Sequence, residues 1–289
     1  MTIEDDTWED LISLNSNSTI DDFELLEPAG AYRDSDSHPT NWDSLNSIVD
    51  QCLRDDEFPL PTVEDREGYY GPHHYSYWCS GLRDKQMLIE CAEKYEVDLK
   101  KYLDIGCSSG RVIRHFSYDD REIDVVGCDI NRRHVEWVNR HLPKVKAFHN
   151  YSLPTLPIAD ESVDLISAYS VFTHVEAFET SWLMEMKRIL RPGGVCWITV
   201  HSEHTWNEME EGWPLYDAMI AHPYYNEIKD SKTLPSDKTI FRWKANRSYS
   251  SNVFYNLDYI KNTWGKFLKV EEVRRRCPDY QDVIILRKT

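Results

Sequence analysis

The sequence predicts an α/β protein with a Rossmann-like sheet, and two stretches carry that prediction. In residues 101–111 an apolar run ends in an acid, and a glycine-rich turn then leads into sequence that begins a helix. Residues 124–129 form a second short apolar run that also ends in an acid. These residues predict a strand, a tight turn, the start of a helix and a second strand, in that order. This order is typical of a parallel sheet with helical crossovers.

Apolar periodicity assigns the other elements of this fold. The predicted strands after these two are residues 144–148, 163–169, 195–201, 267–274 and 282–287. The predicted helices are residues 82–94, 132–141, 176–190 and 254–264, with two short ones at 23–26 and 48–53. The chain therefore alternates between strands and helices from about residue 80 to its end.

The chain's negative charge is concentrated before this alternating part. Residues 1–68 contain 19 acidic and 3 basic residues, which is −16 of the chain's total of −17. We expect this segment to be an acidic arm, either solvated or folded as a cap, and residues 69–289 to form the main domain. Neither part has the basic surface of a nucleic-acid-binding protein, so we expect no nucleic-acid partner.

Other sequence signals indicate a cytoplasmic location. No apolar run is long enough to span a membrane, and the acidic N-terminus does not resemble a signal peptide. The seven cysteines are scattered without any Cys-x-x-Cys pair, which fits reduced thiols better than disulfides or zinc. The oligomeric state is open.

The glycine-rich turn, Asp104-Ile-Gly106-Cys107-Ser108-Ser-Gly110, resembles motif I of the class I S-adenosylmethionine methyltransferases. That motif is usually Asp/Glu-x-Gly-x-Gly-x-Gly, so Ser108 stands where the middle glycine is expected. The resemblance implies a seven-stranded sheet whose last strand is antiparallel. It also implies that this turn binds S-adenosyl-L-methionine, which becomes S-adenosyl-L-homocysteine. A dinucleotide-binding turn would read Gly-x-Gly-x-x-Gly, which is not the spacing here.

Two positions after the next strands extend the predicted cofactor site. Asp129 lies 19 residues after Gly110, where an acid binds both ribose hydroxyls, although an acid here also caps helices. Ile130 follows it as a further cofactor-binding candidate. By the resemblance, Asn150 or its neighbour Tyr151 meets the adenine amino group, and a plain turn residue is the alternative.

The aromatic stretch before the first strand supplies candidates for the other end of the cofactor. By resemblance to families in which a preceding helix closes over the cofactor, Tyr70 and Arg83 reach its methionine end. Arginine suits a carboxylate because its guanidinium forms paired hydrogen bonds. Packing of this helix on the core, with Arg83 at the surface, is the equally weighted alternative.

Two further runs resemble the same family. The segment 156–169 resembles its approach to the fourth strand, after which Tyr169 and Ser170 line the methionine end and sulfonium of the cofactor. Arg191-Pro-Gly-Gly194 is its most specific signature and is structural, because proline ends a helix and the glycines lead into a strand.

An insertion at about residues 204–252 follows the predicted fifth strand. It carries eight aromatic residues: Trp206, Trp213, Tyr216, Tyr224, Tyr225, Phe241, Trp243 and Tyr249. These rings either stack on a sugar or planar acceptor or form a small satellite core. Insertions here lie at the carboxyl edge of the strands, where open α/β sheets bind ligands.

Two histidines are candidates for the catalytic base. His174 follows the fourth strand, beside the expected methyl group, and the ordinary histidine pKa of about 6.5 suits proton transfer near neutrality. His201, at the end of the fifth strand, is the second candidate, and a structural role is the alternative for both. No acidic cluster has metal-ligand spacing, so no metal is predicted.

The function that these signals predict is S-adenosylmethionine-dependent methylation, most simply at an oxygen atom of a small-molecule or glycan-type acceptor. The residues Ser-Val-Phe-Thr-His at 170–174 resemble those of class I enzymes that often methylate glycans and other secondary products, so we expect a role in secondary metabolism or glycan modification. One alternative is an NAD(P)-dependent dehydrogenase on a similar sheet. The other is a non-catalytic module that binds the cofactor and interacts through its acidic arm.

Overall fold

The computed structural model describes residues 22–243 and 251–289. Main-chain contacts divide the chain into two units, Met1–Ser152 and Leu153–Thr289. No helix within the described residues is long and apolar enough to cross a membrane.

The first unit begins with short elements that pack on a long helix. Strand β1 (Leu25–Leu26) pairs antiparallel with β2 (Leu60–Pro61), and helix α1 (Val49–Asp55) lies between them in sequence. The long helix is α2 (His74–Lys94), eight residues longer at its start than predicted. The helix predicted at residues 23–26 is wrong, because this stretch pairs as an edge strand; the helix predicted at 48–53 is α1.

Residues 22–68 contribute to a buried core and are not a solvated arm. Ala29, Leu45, Val49 and Leu60 are buried against the first turns of α2. The side chains of Asp56 and Arg114 are both fully buried, and Arg114 Nε lies 2.9 Å from Asp56 Oδ2. Because separating such a pair leaves an uncompensated buried charge, this contact fixes the segment to the turn after the first main strand. The predicted domain boundary after residue 68 stays a prediction.

Three parallel strands form the sheet of the first unit. They are β3 (Lys101–Ile105), β4 (Asp124–Asp129) and β5 (Val145–His149), with β4 in the middle. Helix α3 (Arg132–His141) connects β4 to β5, as predicted. The connection from β3 to β4 contains only a 3₁₀ turn, Ile113–Phe116, where the sequence indicated the start of a helix.

The second unit contains the remaining four strands of the predicted sheet. Strand β6 (Val163–Ala168) pairs parallel with β7 (Leu190–Ser202), and helix α4 (Glu179–Ile189) connects them. The last strand, β11 (Asp282–Arg287), lies between β7 and β10 (Lys269–Arg274) and is antiparallel to both. The predicted Rossmann-like class with an antiparallel last strand is confirmed.

The insertion after β7 folds as a satellite core. It comprises α5 (Glu203–Glu208), α6 (Pro214–Ile220), α7 (Pro223–Ile228), β8 (Lys238–Arg242) and β9 (Ser251–Tyr255). Trp206, Tyr225, Phe241 and Phe254 are buried together in it. Most of its aromatic side chains therefore hold the insertion together, whereas Tyr249 lies outside the described residues. Strand β9 also adds to the end of β7, and the helix predicted at 254–264 is reduced to α8 (Leu257–Thr263).

Candidate functional site

The glycine-rich turn leaves β3 in the geometry that a close ligand approach requires. Gly106, Ser108 and Gly110 all have positive φ, at 74°, 48° and 82°. The Gly106 and Cys107 N–H groups donate to the carbonyl oxygen of Cys128, which fixes the turn on β4. At Gly110 a Cβ atom would lie 2.5 Å from Leu142 Cδ1, so any larger residue would displace that side chain and would also adopt a strained positive φ. A left-handed backbone favours glycine, which explains why motif I usually has a glycine at the position of Ser108. In this chain Ser108 adopts that left-handed conformation.

Asp129 lies at the end of β4 beside this turn. Its Oδ2 accepts from the Ser108 N–H at 2.8 Å, and its Oδ1 accepts from the Asn131 N–H at 2.7 Å. Both bonds hold the carboxylate rigidly, and each oxygen keeps a further lone pair for a ligand hydroxyl. The cap of α3 is instead Asn131, whose side chain accepts from the Arg133 N–H, so the capping alternative for Asp129 does not apply.

The other predicted residues of the turn are mostly enclosed. Asp104 is buried within β3. Cys107 is also buried, and burial raises the pKa of its thiol well above the ordinary value, so it stays protonated. The backbone carbonyl of Ile130 contacts His149 Nε2 at 3.0 Å, which ties the residue after β4 to the end of β5.

Asn150 presents an unused hydrogen-bond acceptor. Its backbone N–H donates to the Asp129 carbonyl, and its Nδ2 donates to the Tyr151 carbonyl at 2.9 Å. Its Oδ1 is buried and has no hydrogen-bond partner. Since native proteins rarely leave buried polar atoms unpaired, this oxygen fits a ligand donor such as the adenine amino group. Tyr151 is 54% exposed and stacks edge-on against His149, so it is the weaker of the two candidates.

The Asn150 contact predicts base selectivity. We expect the wild type to bind S-adenosylhomocysteine several-fold more tightly than S-inosylhomocysteine, whose base carries an oxygen in place of the amino group. In Asn150→Leu this preference should shrink to about twofold or less, because one neutral hydrogen bond contributes about 1 kcal/mol. Calorimetric titration of both proteins with both ligands measures it, and an undiminished preference in the variant contradicts the assignment.

Tyr70 and Arg83 lie in an aromatic and ionic cluster of the first unit. The Tyr70 ring contacts His38, with centroids 4.9 Å apart. Arg83 Nε lies 3.0 Å from Oδ1 of the buried Asp84, whose Oδ2 lies 2.6 Å from Arg111 Nη1. Arg83 thus shares a buried carboxylate with the arginine that follows the glycine turn, and its role toward the cofactor stays a prediction.

In the second unit, the segment after β6 is anchored to β7 and to the loop before β11. Ser170 has a φ of 54°, and its N–H donates to Thr199 Oγ1 at 2.7 Å. Gln281 Nε2 donates to Ser170 Oγ at 2.9 Å. The Tyr169 ring lies 6.4 Å from Trp197 between centroids. These contacts hold Tyr169 and Ser170 at the carboxyl end of β6.

The two predicted histidines differ in their surroundings. His174 Nδ1 lies 2.5 Å from the Ser251 carbonyl oxygen, so Nδ1 carries the proton and Nε2 is the acceptor nitrogen. His201 is 2% exposed, and neither of its ring nitrogens has a hydrogen-bond partner. Burial, with a smaller contribution from His174, lowers the pKa of His201 well below the ordinary value, so its ring is neutral.

This neutral His201 predicts acid sensitivity. Because its folded pKa is depressed, the unfolded chain binds the extra proton, and stability falls as the pH drops below the unfolded value of about 6.5. One such group costs about 1.4 kcal/mol per pH unit in that range. His201→Phe should therefore lose less stability than the wild type between pH 6.5 and 5.5, by about 1 kcal/mol in urea unfolding. An equal loss in both proteins would show that His201 is accessible to protons in the fold.

A third histidine was not predicted. His204 Nδ1 lies 2.8 Å from Oδ2 of Asp282, whose side chain is fully buried and also accepts from Ser202 Oγ at 2.6 Å. A histidine oriented by a buried carboxylate is one arrangement that supports general base chemistry. The separation of 78 residues between the two side chains hid this pair, although His204 lies only three residues after the predicted His201, which is near the end of β7.

The structure therefore gathers the predicted residues into two groups, one in each unit. The first unit holds the glycine turn, Asp129, Ile130 and Asn150 at the carboxyl ends of its three strands, and the second holds Ser170, His174 and His201. No cluster of histidine, cysteine, aspartate or glutamate suited to a metal ion occurs in residues 22–243 or 251–289.

One family model and several solved structures are similar to this chain. Residues 103–198 match the methyltransferase domain family. A S-adenosylmethionine-dependent methyltransferase from Clostridium acetobutylicum has the same fold at 10% identity and a TM-score of 0.50, covering 74% of this chain and 92% of that one. The predicted resemblance to class I S-adenosylmethionine-dependent methyltransferases is confirmed.

Two other solved structures are also similar, with lower TM-scores. The 1,6-didemethyltoxoflavin-N1-methyltransferase from Burkholderia thailandensis, solved with S-adenosylhomocysteine, has 12% identity and a TM-score of 0.49 over 88% of this chain and 93% of that one. A S-adenosylmethionine-dependent methyltransferase from Mesorhizobium loti has 12% identity and a TM-score of 0.47 over 69% and 96%. No curated protein matches the sequence.

Proposed function

We propose that this protein is a S-adenosyl-L-methionine-dependent methyltransferase that acts on an oxygen atom of a small-molecule or glycan-type acceptor. The observation that carries the proposal is the joint geometry of the glycine turn, Asp129 and Asn150. The Asp129 carboxylate, held by two hydrogen bonds, lies at the end of β4, and the unpaired Asn150 Oδ1 lies just after the neighbouring β5. Class I methyltransferases bind the ribose and the adenine at these positions. S-adenosyl-L-methionine supplies a sulfonium-activated methyl group when bound.

The glycine turn, Asp129 and Asn150 each have a distinct role in the proposed binding of the cofactor. The positive-φ turn at Gly106, Ser108 and Gly110 brings main-chain atoms close to the ligand, and its small residues leave room for it. Asp129 accepts hydrogen bonds from the ribose hydroxyls, and Asn150 Oδ1 accepts one from the adenine amino group. Because these acceptors are fixed before binding, little ordering entropy opposes the association.

In the second unit, His174 is the proposed base. Its protonated Nδ1 is held by a carbonyl oxygen, so Nε2 is the basic nitrogen of the ring and takes the proton of the methyl acceptor. Trp213 and Tyr280 are candidates for a surface that binds the methyl acceptor. Both are half-buried, and their rings stack with centroids 5.4 Å apart. Partly exposed aromatic rings suit a sugar or a planar ring. A cytoplasmic location and a role in secondary or glycan metabolism belong to the same proposal.

Parallel calorimetric titration with S-adenosylhomocysteine and with NADH tests the function. We expect binding of the first alone, at micromolar affinity, followed by transfer of labelled methyl groups into a small-molecule extract. Binding of NADH alone would favour a dehydrogenase instead, although the glycine spacing and the Arg191-Pro-Gly-Gly194 run oppose that alternative. Cofactor binding without transfer to any acceptor would favour a non-catalytic module.

A further inference from the structure

Arg66 is a buried arginine without a carboxylate partner. It is 2% exposed, and its Nη2 lies 2.5 Å from the Gly71 carbonyl oxygen and 2.8 Å from His74 Nδ1. Its Nε and Nη1 are buried and have no hydrogen-bond partner. The guanidinium carbon lies 4.5 Å from the Tyr77 ring centroid, but contact with a ring face does not replace bonds in the guanidinium plane.

Other arginines near the glycine turn are matched to acids. Arg114 pairs with Asp56, Arg111 with Asp84, and Arg133 with Asp65. Burial lowers the pKa of Arg66 below its ordinary value, and the nearby charge of Asp36, which is not in ion-pair contact with Arg66, offsets this only in part. The pKa of His74 is lowered by burial and by Arg66, so its ring is neutral and adds no competing charge. A buried cation of this kind is expected to receive its counter-charge from a ligand.

Tyr77, on α2, adds a second unused donor at the same place. Its hydroxyl is buried without a hydrogen-bond partner, and burial raises its pKa, so it keeps its proton. The hydroxyl interacts electrostatically with Arg114, Arg66 and Arg111 and, to a smaller extent, with Cys107 of the glycine turn. The residue before Arg66 contacts that turn too, because the Asp65 carbonyl accepts from Ser109 Oγ.

We propose that Arg66 and Tyr77 form a carboxylate-binding subsite for the amino-acid end of the cofactor. Two buried side chains near the glycine turn, one of them charged, keep donors that no hydrogen bond uses, namely Nε and Nη1 of Arg66 and the hydroxyl of Tyr77. A carboxylate accepts from both side chains. This inference rests on the proposed function. It assigns the cofactor carboxylate to Arg66, a residue of the acidic N-terminal segment, and not to the predicted Arg83, which pairs with Asp84.

The test compares S-adenosylhomocysteine with 5′-methylthioadenosine, which retains the adenosine and lacks the amino-acid end. Calorimetric titrations with both ligands are made on the wild type, Arg66→Met, Tyr77→Phe and Arg54→Met, the last changing an exposed arginine of α1. We expect Arg66→Met to lose at least about tenfold in affinity for S-adenosylhomocysteine and less than twofold for 5′-methylthioadenosine. Tyr77→Phe should show the same selective loss to a smaller extent, and Arg54→Met should change neither affinity.

Equal losses for the two ligands would show that Arg66 only supports the fold, and unchanged binding of both would overturn the subsite. Should Arg66→Met not fold, as judged by thermal unfolding, Arg66→Lys and Tyr77→Phe decide, because each retains most of the packing. Selective loss in either supports the subsite, and its absence in both overturns it. A wild type that binds neither ligand refutes the proposed function itself, which is a separate result.

Discussion

Replacing His174 with glutamine is expected to slow methyl transfer by at least about a hundredfold while S-adenosylhomocysteine affinity stays within twofold. Glutamine preserves a donor to the Ser251 carbonyl but cannot take a proton, and a positioned general base contributes about 10²–10⁴-fold. The rate is measured as transfer of labelled methyl from S-adenosylmethionine into the product that the wild type forms in a small-molecule extract. The affinity is measured by calorimetry on the same preparations.

His204→Gln is the matched comparison for this experiment. His204 is also an oriented ring of the second unit, held by Asp282 instead of a carbonyl. If His174 is the base, His204→Gln should keep most of the wild-type rate. A large loss in His204→Gln with an active His174→Gln would transfer the role to the His204–Asp282 pair. A loss in both affinity and rate for His174→Gln would indicate structural damage instead.

The strands and the glycine turn were predictable because their signals are local. Acids that end short apolar runs located β3 and β4, and the positive φ at residues 106, 108 and 110 is what a turn of small residues indicates. Asp129 and Asn150 were indicated as candidates by their positions, the first at the end of β4 and the second directly after β5. The helix at 132–141 was recovered because its apolar side has a clear helical period.

What the sequence concealed depends on contacts between distant residues. The acidic composition of residues 22–68 indicated solvated chain, but its few apolar residues and Asp56 are matched by partners on α2 and at Arg114. No local sequence signal sets Arg66 apart from the other charged residues, and only the structure shows that its Nε and Nη1 are buried without hydrogen-bond partners. The His204–Asp282 pair likewise forms only when β11 inserts beside β7.

Removing the carboxylate of Asp129 is expected to weaken S-adenosylhomocysteine binding by at least about tenfold. Each charged hydrogen bond to a ribose hydroxyl contributes about 1.5–3 kcal/mol, so loss of one already gives this factor. Calorimetric titration of Asp129→Ala measures it. Asp129→Asn should lose less, because its amide keeps one acceptor oxygen at nearly the same volume.

Asp124→Ala serves as the control for Asp129, because Asp124 starts the same strand and its half-exposed side chain faces Lys101. It should leave the affinity unchanged. Asp129 also holds the Ser108 and Asn131 N–H groups, so thermal unfolding must show that the Asp129 variants remain folded. Unchanged affinity in a folded Asp129→Ala protein would remove the ribose assignment. Weaker S-adenosylhomocysteine binding in Asp129→Ala, with unchanged binding in Asp124→Ala, would instead place the ribose at the end of β4.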